Sequence, residues 1–269
     1  MKKIIAILLA LVLVLAFAGC GAKETASTGS DNQSSADNTA ATVTTVKAGK
    51  LTMATNAYFQ PYEYYDGDKI VGIDAEIAEA IAKKLGLELE IQDMAFDSII
   101  TAVQEGSVDI GLAGMTVKPD RLEKVDFSIS YANGVQVVIV PENSAITTVD
   151  DLFADGATYK AGVQLGTTGD AYASEDLGSD RVTQYPNGNE AVNALLGGDV
   201  DCVIIDNEPA KSFVANNEGL KILETTYADE DYAACIKKGN KALLEAVDKA
   251  IDELMSDGTI DGIIAKYIK

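Results

Sequence analysis

Apolar and polar positions divide this chain into three stretches. Ile4 to Ala18 is an unbroken apolar run behind Lys2 and Lys3. From Gly21 to about Lys47 there is no apolar period and no aromatic residue. From Ala48 onward, short apolar runs of strand length alternate with helical periods. The pattern predicts strands at Leu51–Thr55 and Lys160–Val163, and helices at Ile73–Leu85, Phe96–Gln104, Ala171–Leu177 and Asn189–Leu196. Two more amphipathic helices, Lys241–Met255 and Thr259–Ile268, close the chain with apolar faces that read as core. Continuous apolar strands between helices indicate an α/β fold with mostly parallel sheets.

The alternation repeats. Residues 102–114 read AVQEGSVDIGLAG and residues 194–206 read ALLGGDVDCVIID. Without gaps, Gly106 matches Gly198, Val108 matches Val200, Asp109 matches Asp201, and Gly114 falls opposite Asp206. In each copy a helix stops at glycine and a strand follows, so each copy predicts one αβ unit in each of two lobes. Ligands of open α/β sheets bind beyond the carboxyl ends of the strands. Asn56, Gly114, Gln164, Thr167, Thr168 and Asp206 therefore converge on one cleft, with the alternative that some, the glycines above all, only form turns.

The first run is too short to span a membrane, for which about 20 residues are needed; it has the length and flanks of a signal peptide, residues 1–19. It ends in Phe17-Ala18-Gly19-Cys20, which resembles a lipobox and predicts Cys20 as the site of lipidation, with ordinary secretion and a free Cys20 as the alternative. Residues 20–47 then read as a lipidated flexible tether, too polar to offset its ordering entropy. Composition narrows the rest. A formal net charge of −21 argues against nucleic acid and against an anionic lipid surface as partners. There is no histidine, which removes Ser-His and Cys-His catalysis and His-ligated metal sites. Cys202 and Cys235 each sit in a run that reads as a buried strand and are expected to be buried thiols, with a disulfide as the alternative.

Only two arginines exist, Arg121 and Arg181. Pro119 reads as the first residue of a helix, which puts Arg121 in the first turn, where the helix dipole disfavours a cation. Its planar fork suits a carboxylate; the alternative is a surface ion pair with Glu123 or Asp126. Thr116 stands nearby, and Thr167 and Thr168 precede a helix whose free N–H groups suit an anion. Asp206 ends an otherwise apolar strand and needs a partner, either a ligand ammonium or a neighbouring backbone N–H. An anion grip and a cation grip in one cleft describe an α-amino acid. Phe59 and Phe96 are aromatic candidates for flanking its side chain.

ATNAYFQPYEYYDGDKIVGIDAEIAEAIAKKLG, followed by MAFDSIITAVQEGSVDIGLAGMTVKPDRLEKVDFSISY, resembles the solute-binding proteins of polar amino acid ABC importers, family 3, in lipoprotein form. GVQLGTTGDAY, VIIDNEP and DGTIDGIIAKYIK carry the same resemblance, which covers residues 48–269. It implies a two-lobe periplasmic-binding-protein-like fold of type II, with a discontinuous first lobe (48–135 and 231–269), a second lobe (136–230), two crossing strands as hinge and a ligand cleft between the lobes. It implies that Arg121 takes the α-carboxylate with Thr116 and Thr168, that Asp206 takes the α-ammonium with the Gly114 carbonyl, and that Phe59 and Phe96 flank the side chain. Asn56 and Gln164 would tune specificity. Many members that bind cationic amino acids have Asp at the Asn56 position, so Asn favours a neutral ligand such as glutamine, while Glu63 keeps a basic one open. The implied partners are a free amino acid, an ABC permease with its ATPase, and the membrane through the lipid anchor alone; the implied protein is a monomer on the extracytoplasmic face of a Gram-positive cell, with no cofactor, no metal and no catalytic residue. The alternatives are a dehydratase-like enzyme acting on a small carboxylic acid with the same fold, and a sensory ligand-binding module.

Overall fold

The computed structural model describes residues 43–224 and 226–268. The signal segment, Cys20 and the tether up to residue 42 lie outside the described residues. Among the described residues no helix is long and apolar enough to cross a membrane.

Two sheets organise the body. The first runs in the order Glu88–Asp93, Lys50–Thr55, Ile110–Gly111, Cys235–Lys237, Val125–Phe127. Its first three strands are parallel and the last two pair antiparallel with their neighbours. The second runs Val182–Tyr185, Ala161–Gln164, Cys202–Asp206, Ala132–Pro141, Leu220–Ile222, with Ala228–Tyr232 also paired to Ala132–Pro141. A hairpin sheet of Tyr58–Phe59, Glu63–Asp66 and Lys69–Val71 stands beside them.

The chain passes from the first sheet to the second through Ala132–Pro141 and returns through Ala228–Tyr232. These two strands pair with each other from Ala132↔Tyr232 to Gln136↔Ala228. The two lobes thus share a two-stranded ribbon.

Helices cover the sheets as the apolar periods require. Ile73–Leu85 buries Ile73, Ile77 and Ile81, spaced to fall on one face. Against it pack Lys241–Ser256, through Leu243, Val247, Ile251 and Leu254, and Thr259–Tyr267. The fourth helix departs from expectation. It spans Thr168–Leu177 and starts three residues before Ala171, because the Thr167 side chain accepts the Asp170 N–H at 3.2 Å and caps it. Val46 and Lys47, read above as tether, are held by the body: the Val46 N–H donates to Asp109 at 2.7 Å and Lys47 pairs with Glu90.

The repeat has a structural meaning in both lobes. Helices Phe96–Glu105 and Gly188–Gly197 end at Gly106 and Gly198 with φ of 75° and 80°, each N–H returning to the last turn. That left-handed cap is open to glycine at little cost. Val108 and Val200 are buried. Asp109 then accepts from the Thr52 N–H at 2.8 Å and the Thr52 hydroxyl at 2.5 Å, while Asp201 accepts from the Lys160 N–H at 2.7 Å. In each lobe the repeated aspartate clamps the strand that carries the first cleft residue of its sheet, Asn56 or Gln164.

Cys202 and Cys235 are buried, free and in different sheets. Burial pushes both thiols up to about 12, which keeps them unreactive.

The two clamps differ in burial, and this gives a test. Asp109 is buried and Asp201 exposed. Bonds to a buried charge contribute about 1.5–3 kcal/mol and exposed ones less. Asp109→Ala is expected to lower unfolding free energy by about 2–4 kcal/mol, and Asp201→Ala by under about 1 kcal/mol. Equal losses in urea denaturation would rule out the asymmetry.

Candidate functional site

A cleft lies between the sheets. All ten residues named above line it: Asn56, Phe59, Phe96, Gly114, Thr116 and Arg121 from one side, Gln164, Thr167, Thr168 and Asp206 from the other. Glu63 and Ala113 join them. Most of them sit at the end of a strand or the start of a helix, and Gly114 and Thr116 lie on the loop between Ile110–Gly111 and Pro119–Leu122.

Pro119–Leu122 is a single helical turn with Pro at its first position. It aims Arg121 inward rather than at solvent. Among the described residues no ion pair with Glu123 or Asp126 forms, which removes the surface salt-bridge alternative. One guanidinium nitrogen donates to the Thr116 carbonyl at 2.8 Å, and another crosses the cleft to the Gly166 carbonyl at 3.1 Å. The Phe96 ring lies 5.4 Å from the guanidinium carbon. Phe96 therefore supports the cation as well as lining the wall. Burial pulls the Arg121 pKa down, opposed by Asp120 and Glu230. Arginine remains charged in that environment.

Asp206 ends strand Cys202–Asp206 and is buried. The Tyr232 hydroxyl donates to it, a partner that the sequence did not suggest. Burial raises its pKa well above the usual carboxylate range, with Glu230 adding to the effect and a Gln136 hydrogen bond and Arg121 opposing it. Thr116 and Thr168 flank this region from opposite sides. The Thr116 hydroxyl and Gln136 both donate to Glu230 at 3.0 Å, and Gln136 also reaches Thr168 at 3.3 Å. Alternation along Ala228–Tyr232 turns Glu230 and Tyr232 inward and Asp229 and Asp231 outward. That period of two was the available signal for both.

Gln164 donates across the cleft to Asn56 at 3.0 Å, and Asn56 donates to the Met94 carbonyl at 2.9 Å. Gly114 has φ of 53°, and a Cβ there would stand 2.8 Å from the Phe59 ring. Glycine is needed on both counts. Its N–H donates to Asp74 at 2.7 Å. Asp74 also accepts from the Tyr131 hydroxyl at 2.9 Å. The sequence reading passed over Asp74, although an acid on the apolar stripe of a helix was a visible signal.

Residues 51–269 match the model of the bacterial extracellular solute-binding proteins, family 3. The arginine-binding extracellular protein ArtP of Bacillus subtilis is 31% identical over 276 residues, covering 99% of this chain and 98% of that protein. The ABC transporter glutamine-binding protein GlnH of Bacillus subtilis is 29% identical over 276 residues, covering 100% and 98%. An ancestral arginine-binding protein, solved bound to glutamine, superposes with a TM-score of 0.77 at 38% identity, over 82% of this chain and 99% of that one. The two-lobe α/β architecture is that of the type II periplasmic amino acid-binding proteins.

The cleft acids make stability depend on pH. Burial raises Asp74 to about 6, against the lowering effect of Gly114 and Tyr131. Glu63 and Asp206 are raised well above their usual range. The unfolded chain loses these protons near pH 4, while the folded chain keeps them, so stability is lost as pH rises through the folded values. The carboxylates whose pKa is lowered, Glu76, Glu90, Asp151 and Asp257, act in the opposite sense but only below about pH 4.5. Calorimetry of the ligand-free protein is expected to show a melting temperature that falls from pH 5 to pH 8. A flat or rising profile contradicts the buried-acid reading.

Proposed function

Since the chain belongs to family 3 of the bacterial extracellular solute-binding proteins, we propose that it binds a polar amino acid, glutamine-like or basic, between two closing lobes and delivers it to an ABC permease. The observation that carries this reading is the presence, in one cleft, of a buried guanidinium and a buried carboxylate on opposite lobes. Arg121 takes the α-carboxylate, helped by Thr116 and by N–H groups at the capped start of helix Thr168–Leu177. Asp206 takes the α-ammonium with the Gly114 carbonyl. Thr167 contributes mainly by capping that helix. Phe59 and Phe96 flank the aliphatic part of the ligand, and its polar end meets Asn56, Gln164 and Glu63. The names of the similar proteins, which include arginine-binding and glutamine-binding members, support a polar ligand.

In this reading the lobes divide near residues 135 and 231 and hinge on the shared ribbon, and ligand favours the closed arrangement because it touches both sides. The protein acts by binding and not by chemistry; with no histidine in the chain, the cleft acids serve to pair charge. Lipidation at Cys20 and a flexible tether would hold this monomer on the extracytoplasmic face of the membrane, at high effective concentration beside its permease and ATPase.

Removing one partner of a desolvated charge pair costs about 2–5 kcal/mol. Arg121→Ala and Asp206→Ala are each expected to weaken amino acid binding by about tenfold or more, measured by titration calorimetry. Unchanged affinity in both variants, with the fold intact, would sink the assignment.

A further inference from the structure

We propose that Glu63 discriminates between charged and neutral ligand side chains by releasing or retaining a proton that it shares with Asp74. The inference rests on the amino acid-binding reading above and assigns one further role within that cleft.

The hairpin and the first long helix bring the two acids together. The Ile73 and Asp74 N–H groups donate to the Pro61 and Tyr62 carbonyls at 3.1 and 2.9 Å, which seats the segment before Glu63 on the helix start. Glu63 and Asp74 are both fully buried. One Asp74 oxygen is satisfied by Gly114 and Tyr131. Its other oxygen and both Glu63 oxygens take no donor from the protein. Two adjoining buried carboxyls do not both ionise, so one proton lies between them and supplies the missing donor. Asp74, already accepting two hydrogen bonds, is the better anion. The proton therefore resides on Glu63, the member that lines the cleft.

The surroundings favour that state. After burial, Asp74 on the helix, Asp206 at the end of its strand and Asp93 at the end of Glu88–Asp93 all raise the Glu63 pKa. Tyr62 beside it and Tyr131 ahead of the hinge strand also face it, and Glu208 faces Tyr62. Arg121 directs its guanidinium to the Thr116 and Gly166 carbonyls instead.

A side-chain amide is neutral and binds while Glu63 keeps its proton. A guanidinium or ammonium brings a charge that must be paired once desolvated. Glu63 then gives its proton to solvent, and a carboxylate–cation pair replaces the protonated acid. Binding of a basic amino acid thus expels one proton more than binding of an amide. Any proton displaced from Asp206 by the α-ammonium is common to both ligands and cancels in the comparison.

The test is titration calorimetry of the purified protein with arginine and with glutamine, between pH 5.5 and 8, in buffers of different ionisation enthalpy. Arginine is expected to release about one proton more than glutamine, so that the arginine-to-glutamine affinity ratio rises by up to about tenfold per pH unit. In Glu63→Gln the extra proton and the pH dependence of the ratio should both vanish. Equal proton release by the two ligands in the natural protein overturns the inference without need of the variant. So does a ratio that keeps its pH dependence in Glu63→Gln, or binding of glutamine alone at every pH; in each of these cases the amino acid-binding reading stands. Binding of neither amino acid by the folded protein overturns that reading, and this inference with it.

Discussion

Charge imbalance in a dry interior governs this molecule. Among the described residues one guanidinium, Arg121, is buried against six carboxylates: Glu63, Asp74, Asp109, Asp170, Asp206 and Glu230. A buried charge is costly unless paired or hydrogen-bonded. Three of the acids solve the problem locally. Asp109 collects Val46 and Thr52; Asp170 collects the Gly166 N–H, Ser174 and Gln184; Asp74 collects Gly114 and Tyr131. Those three fix strand register, a helix start and a cleft turn. The others, Glu63, Asp206 and Glu230, have phenol, hydroxyl or amide donors or a shared proton, and no cation of their own. Glu63 and Asp206 line the cleft, and Glu230 stands beside it through Thr116.

The same acids tie the cleft to the ribbon that joins the lobes. Glu230 sits on one ribbon strand and Gln136 on the other. Thr116 donates to Glu230, and Gln136 donates to both Glu230 and Thr168; the two threonines are proposed to help hold the ligand carboxylate. Tyr232, on the same strand as Glu230, donates to Asp206. Tyr131, just ahead of the opposite strand, donates to Asp74. A change in ribbon geometry therefore shifts the groups proposed to hold both ends of an amino acid. Differential contact with two arrangements is what a ligand needs in order to shift the balance between them.

Much of this was legible in the chain because it rests on local rules. The repeat around Gly106 and Gly198 marked two αβ units, since a left-handed helix end favours glycine wherever it occurs. Pro119 placed the short turn that aims Arg121. Strand ends located Asn56, Gln164 and Asp206, which the topology then brought to one cleft. What stayed hidden depends on pairings across sequence distance. Tyr232 meets Asp206 only because Ala228–Tyr232 is paired to Ala132–Pro141. Phe96 meets Arg121, 25 residues away in the chain, in a contact that sequence spacing does not announce. The start of helix Thr168–Leu177 was missed because Thr-Gly-Asp is a polar, loop-like string until Thr167 is seen capping it.

Glu63 illustrates the limit of reading residues singly. Alone, an acid at a cleft edge means attraction for a cation. Beside a second buried acid it means a retained proton, and the ligand's charge then decides whether that proton stays. Asn56, read as a departure that favours a neutral ligand, is bonded in the structure to Gln164 and Met94. In the proposal above, side-chain selection is shared between the Asn56–Gln164 pair and the acid with open lone pairs. In a cleft so short of cations, selectivity follows from how many protons the wall surrenders as much as from the shape it presents.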